Sequence, residues 1–421
     1  MQQKQSILKK ILLVILGIGP GIFAIGYTIG TGSVTSMIVA GSQYGMQLLW
    51  VLFLSCLFSW VLMEAYGRYA LVTGHSALFG FRKHLRFGSL IAILIIIGIS
   101  FGQWNSLIGI LGISANAIFE TLVLFIPGLK SLEYVSVLII ALMIIGVMYG
   151  LLWRGKYTLF EKVLLFFVTL MGLSFLLSFF IVLPDPKEIA LGLIPSIPQV
   201  EGGKMLVAAF VGTTMASATF LSRPLFIQGK GWTIANIKEQ QRDAFWAALL
   251  IFLICSAIMA VAMGAFYHEG KTITKVLDMV YALEPVAGRF AIAIFFLGTM
   301  GAGLSSIFPI LMITPLLIAD YQAGKLDMSS RQFKVLTGIV SIIGLAVPIF
   351  GSNPIKAQIL TQVFNVFVLP LVIMGIFILV NNKSIMGAHK AGWALNIGMG
   401  LSFIFACIIS YNGIVAIVAQ F

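Results

Sequence analysis

A chain of 421 residues in which 60% of the side chains are hydrophobic and only 10% are Asp, Glu, Lys or Arg lies far from the roughly 25% charged content of soluble domains. A water-soluble fold is excluded, and so is an outer-membrane barrel, which needs segments of about ten residues with alternating polarity. The net charge of +12 reads as the Lys and Arg excess of cytoplasmic loops, so no nucleic-acid partner is expected.

Long apolar runs separated by short charged patches predict eleven helices, since a bilayer core takes roughly 20 residues per span. In chain order they cover about residues 10–43 (interrupted), 47–73, 88–112, 133–153, 159–183, 203–228 (interrupted), 243–267, 287–319, 332–350, 355–381 and 391–418. The first run follows Lys9 and Lys10 but continues through Gly-rich sequence without a clear cleavage site, and is read as a span rather than a signal peptide. With the N-terminus in the cytoplasm, 19 of the 26 basic residues fall in inner segments, which places the C-terminus outside. The whole chain, 1–421, is expected to be one transmembrane domain of an inner membrane, with the bilayer as its surroundings and a monomeric state.

Two helices are interrupted in the same way. The first contains Gly17-Ile-Gly-Pro-Gly21 and Gly26-Tyr-Thr-Ile-Gly30-Thr-Gly32-Ser33, and the sixth contains Gly212-Thr-Thr-Met-Ala-Ser217-Ala-Thr219. Small and hydroxyl residues at membrane depth let the backbone leave the helix where it lines a cavity; alone, they would equally serve close helix packing. Their recurrence five helices apart favours a binding site between discontinuous helices of two inverted repeats.

The sequence resembles the Nramp divalent-metal transporters, which share the LeuT-like inverted-repeat fold. The matching runs are Gly19-Pro-Gly21, Ala40-Gly-Ser-Gln43-Tyr-Gly45 through Trp50-Val51, Val72-Thr-Gly74, Gly172-Leu-Ser-Phe, Leu183-Pro-Asp185, Arg242-Asp243, Gly303-Leu-Ser-Ser306, Thr361-Gln362-Val363, Leu369-Pro370 and Lys383-Ser-Ile-Met-Gly387. The resemblance implies an all-α polytopic membrane protein with two inverted five-helix repeats, about 10–183 and 203–381, plus an extra helix at about 391–418.

The site residues differ from the family pattern. Its helix-one Asp-Pro-Gly-Asn, whose carboxylate and amide bind metal, aligns with Gly30-Thr31-Gly32-Ser33. Its helix-six Ala-Thr-Val-Met-Pro-His aligns with Thr213-Thr214-Met215-Ala216-Ser217-Ala218, so Ala216 stands where the thioether ligand would be and the proton-handling His is missing. Gln103 and Ser106 stand where helix three carries two acids, and Val368 replaces a polar residue of helix ten. No Asp or Glu falls near the middle of a predicted span.

The metal positions by resemblance are therefore Gly30, Ser33, Thr213 and Ala216, without their side-chain ligands. The wider substrate set adds Thr31, Ser217, Asn105 and Gln362, with interhelical bonding as the alternative role of the amides. A dehydrated divalent ion normally needs a carboxylate, so a hydrated, Mg²⁺-like cargo is expected over Mn²⁺ or Fe²⁺, without proton coupling. The alternatives are a carrier of a small polar organic solute and a non-transporting scaffold or sensor. Cys56, Cys255 and Cys407 have no metal or disulfide spacing. Neither a cofactor nor an enzymatic activity is expected, since no nucleophile–base pair appears. Glu64 and Arg68 have the spacing of a helical ion pair, and His75, His84, His268 and His389 fall in loops or at helix ends.

Overall fold

The computed structural model describes residues 19–155, 157–182, 185–196, 203–267, 284–350 and 354–418, and among these the regular structure is entirely helical. The first predicted span is two helices, α1 (Gly21–Thr28) and α2 (Thr31–Tyr44), bent by 54° at Ile29–Gly30. Its start, 10–18, lies outside the described residues. There follow α3 (Leu49–Thr73), a short α4 (Ala77–His84), α5 (Gly88–Phe125), α6 (Glu133–Trp153), α7 (Tyr157–Val182) and a short α8 (Pro186–Leu191). The sixth span is again broken, into α9 (Gly203–Thr214) and α10 (Ser217–Lys230). The remainder is α11 (Ile237–Phe266), α12 (Glu284–Ala323), α13 (Arg331–Gly344), α14 (Ala346–Phe350), α15 (Pro354–Asn381), a short α16 (Lys383–Met386) and α17 (Trp393–Val418).

Nine helical segments are long and apolar enough to cross a bilayer, or ten with the bent first pair counted, among the described residues. The predicted span 332–350 is instead a 14-residue and a 5-residue helix. Pro348 has no N–H to return to the carbonyl of Gly344, so the ladder fails at that point. Helix α5 runs 38 residues, well past the predicted end at 112, because its polar residues satisfy themselves locally: the Asn116 amide donates to the Gly112 carbonyl at 2.8 Å.

Helix neighbours recur with a shift of five spans. Helix α7 packs on α12 as α15 packs on α5; α2 packs on α11 as α10 packs on α3; and α5 packs on α6 as α12 packs on α13. Close approaches depend on glycine. A Cβ on Gly212 would lie 1.8 Å from the Gln362 carbonyl oxygen, so α9 can touch the backbone of α15 only because no side chain intervenes.

Gly212→Ala is expected to destabilise the protein by about 1–3 kcal/mol, the usual cost of overpacking. A thermal unfolding scan in detergent checks it, with Gly146→Ala, where nothing lies within 4 Å, as the control that stays unchanged.

Candidate functional site

Breaking a helix inside a membrane exposes backbone groups that no water reaches, and side-chain hydroxyls pair a carbonyl at each break. The Thr28 carbonyl, at the end of α1, accepts from the Ser33 hydroxyl and, at 3.3 Å, from the Thr213 hydroxyl of α9. The Ser33 and Thr213 oxygens are also within hydrogen-bond reach of each other, so the Thr213 proton is shared between the Thr28 carbonyl and the Ser33 oxygen, tying the two breaks together. The Thr214 carbonyl accepts from Ser59 of α3 at 2.8 Å, and the Gly26 carbonyl from Ser306 of α12 at 2.8 Å.

Between the breaks lies a small cavity of about 20 Å³, enough for one or two waters. Thr28, Gly30, Ser33, Thr213 and Ala216 line it from the breaks, and Gln103, Ser106, Gln362 and Asn365 from α5 and α15. The amides form a directed chain: Gln103 donates to Asn365 at 3.1 Å, and Asn365 donates to Gln362 at 3.0 Å. The Thr28 hydroxyl is buried without a partner among the described residues. Ends of four half-helices converge here, so partial charges of both signs face the space. Every polar group lining the cavity is a neutral hydroxyl, amide, phenol or backbone group.

Of the eight positions expected from sequence, Gly30, Ser33, Thr213, Ala216 and Gln362 meet at this cavity. Thr31 opens α2 at the break, as the residue after the Gly30 cap. Ser217 is the first residue of α10 and is buried, but does not line the space. Asn105 is placed elsewhere: its amide donates to the Phe101 carbonyl of its own helix at 2.8 Å. The helical period explains this. Gln103, Ser106 and Ile110 are spaced three and four apart and share a face, whereas Asn105, two positions from Gln103, points about 200° away.

Gly30 has a specific neighbour that its sequence position does not announce. A Cβ there would lie 2.3 Å from the Ser306 hydroxyl oxygen and 2.8 Å from the Ser306 Cβ. Ser306 therefore occupies the volume into which a side chain at position 30 would grow.

Two carboxylates towards helix ends are buried, which their sequence positions do not announce. Helix α11 begins at Ile237 rather than 243, so Asp243 lies inside it and is only 4% exposed. Its carboxylate accepts from the Gly19 N–H at 2.7 Å and from the Gly21 N–H at 2.9 Å, and pairs with buried Arg223 of α10 at 2.8 Å. Asp243 thus caps α1 and ties it to α10 and α11 at the end of the bundle away from the cavity. Asp320, expected just past its helix, lies within α12, where its carboxylate accepts from Ser76 and from the Leu78 and Phe79 N–H groups, capping α4. The predicted Glu64–Arg68 pair forms at 2.6 Å, and Gln241 also donates to Glu64 at 3.0 Å. His75 and His84 titrate below the ordinary range, first through burial and then through nearby Lys83; His268 lies outside the described residues.

A family model described as natural resistance-associated macrophage protein-like (Nramp) matches residues 21–416. A divalent metal cation transporter MntH from Mycobacterium leprae is 25% identical over 406 residues, covering 91% of this chain and 89% of that protein. The MntH of Caldanaerobacter subterraneus subsp. tengcongensis is 24% identical over 267 residues, and that match covers 62% of each chain. Among solved structures, an Eremococcus coleocola manganese transporter mutant superposes with a TM-score of 0.72 at 16% identity, over 100% of this chain and 89% of that one. Mhp1, a nucleobase-cation-symport-1 family transporter in a closed conformation with bromovinylhydantoin bound, gives 0.59 at 15% identity, over 95% and 90%. These likenesses establish the fold.

Removing the Asp243 charge leaves Arg223 buried without a counterion. Asp243→Asn is expected to cost about 3–5 kcal/mol, and adding Arg223→Gln to recover part of that loss. Chemical unfolding in mixed micelles measures both; equal stability of the single variant and the unchanged protein would contradict the clamp.

Proposed function

The chain belongs to the natural resistance-associated macrophage protein-like (Nramp) family, and from that premise we propose that this multi-pass membrane protein moves divalent metal cations by alternating access around its two broken spans. The observation that carries the reading is the small cavity where the breaks meet, lined by the unpartnered Thr28 hydroxyl and by other neutral oxygens. Its size supports an ion or water as occupant over an organic solute in this conformation.

The chemistry of the lining favours an ion that keeps part of its water. Among the described residues no carboxylate and no thioether line the space, and Met215, though buried, is not among the lining residues. Hydroxyls, amides and carbonyls suit a cation such as Mg²⁺, which dehydrates reluctantly and accepts outer-shell partners; softer ions gain most from sulfur. The Ser33–Thr213 contact closes across the site, so loading begins with separation of these hydroxyls. Gln103 and Ser106 at the positions of the family's helix-three acids support transport without proton coupling. We read residues 10–183 and 203–381 as the inverted repeats, which the neighbour pattern shifted by five spans supports. The basic-residue asymmetry supports a cytoplasmic N-terminus in an inner membrane, and the protein is read as a monomer.

Proteoliposome flux tests the cargo and the coupling together. The expected result is Mg²⁺ uptake above that of empty vesicles, exceeding Mn²⁺ uptake, with no internal acidification; substrate-dependent proton flux would overturn the uncoupled reading. Site geometry is tested by restoring the family ligands. Gly30→Asp with Ser33→Asn and Ala216→Met is expected to fail while Ser306 fills the space. The same variant carrying Ser306→Gly is expected to bind Mn²⁺ at least about tenfold more tightly than the unchanged protein, or about 1.4 kcal/mol. Calorimetry reads the difference, and a folded four-position variant that binds no metal would overturn the inherited geometry.

A further inference from the structure

Away from the central cavity, α3 and α11 leave an apolar groove of about 130 Å³ on the outer face of the bundle. Phe53, Leu57 and Trp60 of α3 and Phe245, Leu249 and Phe252 of α11 form its walls. The walls are ordered by aromatic pairs at each end: Phe53 meets Phe252 edge-on at 5.8 Å, and Trp60 meets Phe245 edge-on at 5.5 Å. Phe53 is 46% and Phe245 42% exposed, in helices that cross the bilayer, so the groove opens to lipid.

The groove has a charged end. On α11, Lys238, Arg242, Phe245, Leu249 and Phe252 follow spacings of four, three, four and three, and therefore share one face. Lys238 and Arg242 are exposed, and neither is in an ion pair among the described residues. The ten residues from Arg242 to Phe252 rise about 15 Å, the depth of one leaflet of a core about 30 Å thick. The nearest acid on the facing helix, Glu64, is paired with Arg68 and accepts from Gln241, both through Oε1, and its Oε2 is buried. Glu239 lies about 100° from Lys238 and about 60° from Arg242 round α11, and pairs with neither among the described residues. The Trp60 indole N–H has no protein partner among the described residues, leaving it for an ester or phosphate oxygen, as aromatic residues do at membrane depth.

We propose that this groove is a binding site for one anionic glycerophospholipid, its acyl chain lying between α3 and α11 and its headgroup on Lys238 and Arg242. An uncharged or zwitterionic lipid fills the same groove without the headgroup contact. Because α11 also carries Asp243, the lipid binds beside the helix that clamps α1.

Quenching of tryptophan fluorescence by lipids brominated in the acyl chain tests the site on the full-length protein. The component assigned to the groove is the difference between the unchanged protein and Trp60→Phe. Brominated phosphatidylglycerol is expected to reach half-maximal quenching of that component at a mole fraction about tenfold lower than brominated phosphatidylcholine, in line with two interfacial basic residues. Lys238→Gln with Arg242→Gln is expected to bring the two lipids together. Equal mole fractions in the unchanged protein, a preference that survives the double change, or no quenching assignable to Trp60 would each overturn the proposal. Native mass spectrometry of the unchanged protein gives a reading independent of the variants: retention of phosphatidylglycerol over phosphatidylcholine is expected, and equal retention overturns it.

Discussion

A polypeptide that interrupts two helices inside a bilayer must satisfy the freed backbone groups without bulk water, and the rest of this architecture follows from that requirement. Here hydroxyls meet it. Ser33 and Thr213 close on the Thr28 carbonyl, Ser59 on that of Thr214, and Ser306 on that of Gly26. Each donor comes from a different stretch of chain, so the breaks are stable only when α2, α3, α9 and α12 are assembled around them. Such bonds are worth little singly, averaging about 0.6 kcal/mol between membrane helices, but each unpaired carbonyl would cost several times that. The glycine contacts, Gly212 on the Gln362 carbonyl above all, permit the close approach these short side chains require.

Charge is distributed in a way that complements this neutral centre. The described carboxylate that anchors α1 does so at its N-terminus, where Asp243 joins two backbone N–H groups and the positive end of the helix dipole to Arg223. An ion pair so deeply desolvated gives little net stability, yet removing one partner is costly. It therefore acts as a fastening between α1, α10 and α11 that has two clear states, engaged or broken. A bundle that opens at that end has to exchange these bonds for others, while the cavity keeps only hydroxyls and amides that reorient without moving charge.

The membrane class, the two interrupted spans and five of the eight candidate positions were legible because they are local. Glycine and hydroxyl residues clustered in the apolar runs of two spans five apart pointed to the breaks, and a motif register carries Gly30, Ser33, Thr213, Ala216 and Gln362 with it. Asn105 illustrates the limit of choosing a residue by helix rather than by face: the face of α5 turned to the cavity is that of Gln103 and Ser106. Asp243 and Asp320 lie towards the ends of α11 and α12, and hydropathy does not show that they are buried there. Their partners, Gly19 and Ser76 among them, lie more than two hundred positions away. The ninth predicted span, 332–350, was read as one helix because Pro348, inside an apolar run, was weighed for hydropathy and not for its missing N–H.

Ser306 shows why a site's chemistry cannot be changed one position at a time. Gly303-Leu-Ser-Ser306 was visible as a family run, but its relation to Gly30 exists only in three dimensions. The serine hydroxyl sits where a side chain at position 30 would begin, and it also closes the Gly26 carbonyl. The serine occupies the space beside Gly30 while its hydroxyl satisfies the Gly26 carbonyl. The two residues form one unit: glycine without its serine leaves a void and an unpaired carbonyl, whereas a larger residue at position 30 beside that serine has no room. A centre built this way holds itself together with neutral hydrogen bonds, which is why the breaks persist in a chain whose cavity carries no fixed charge.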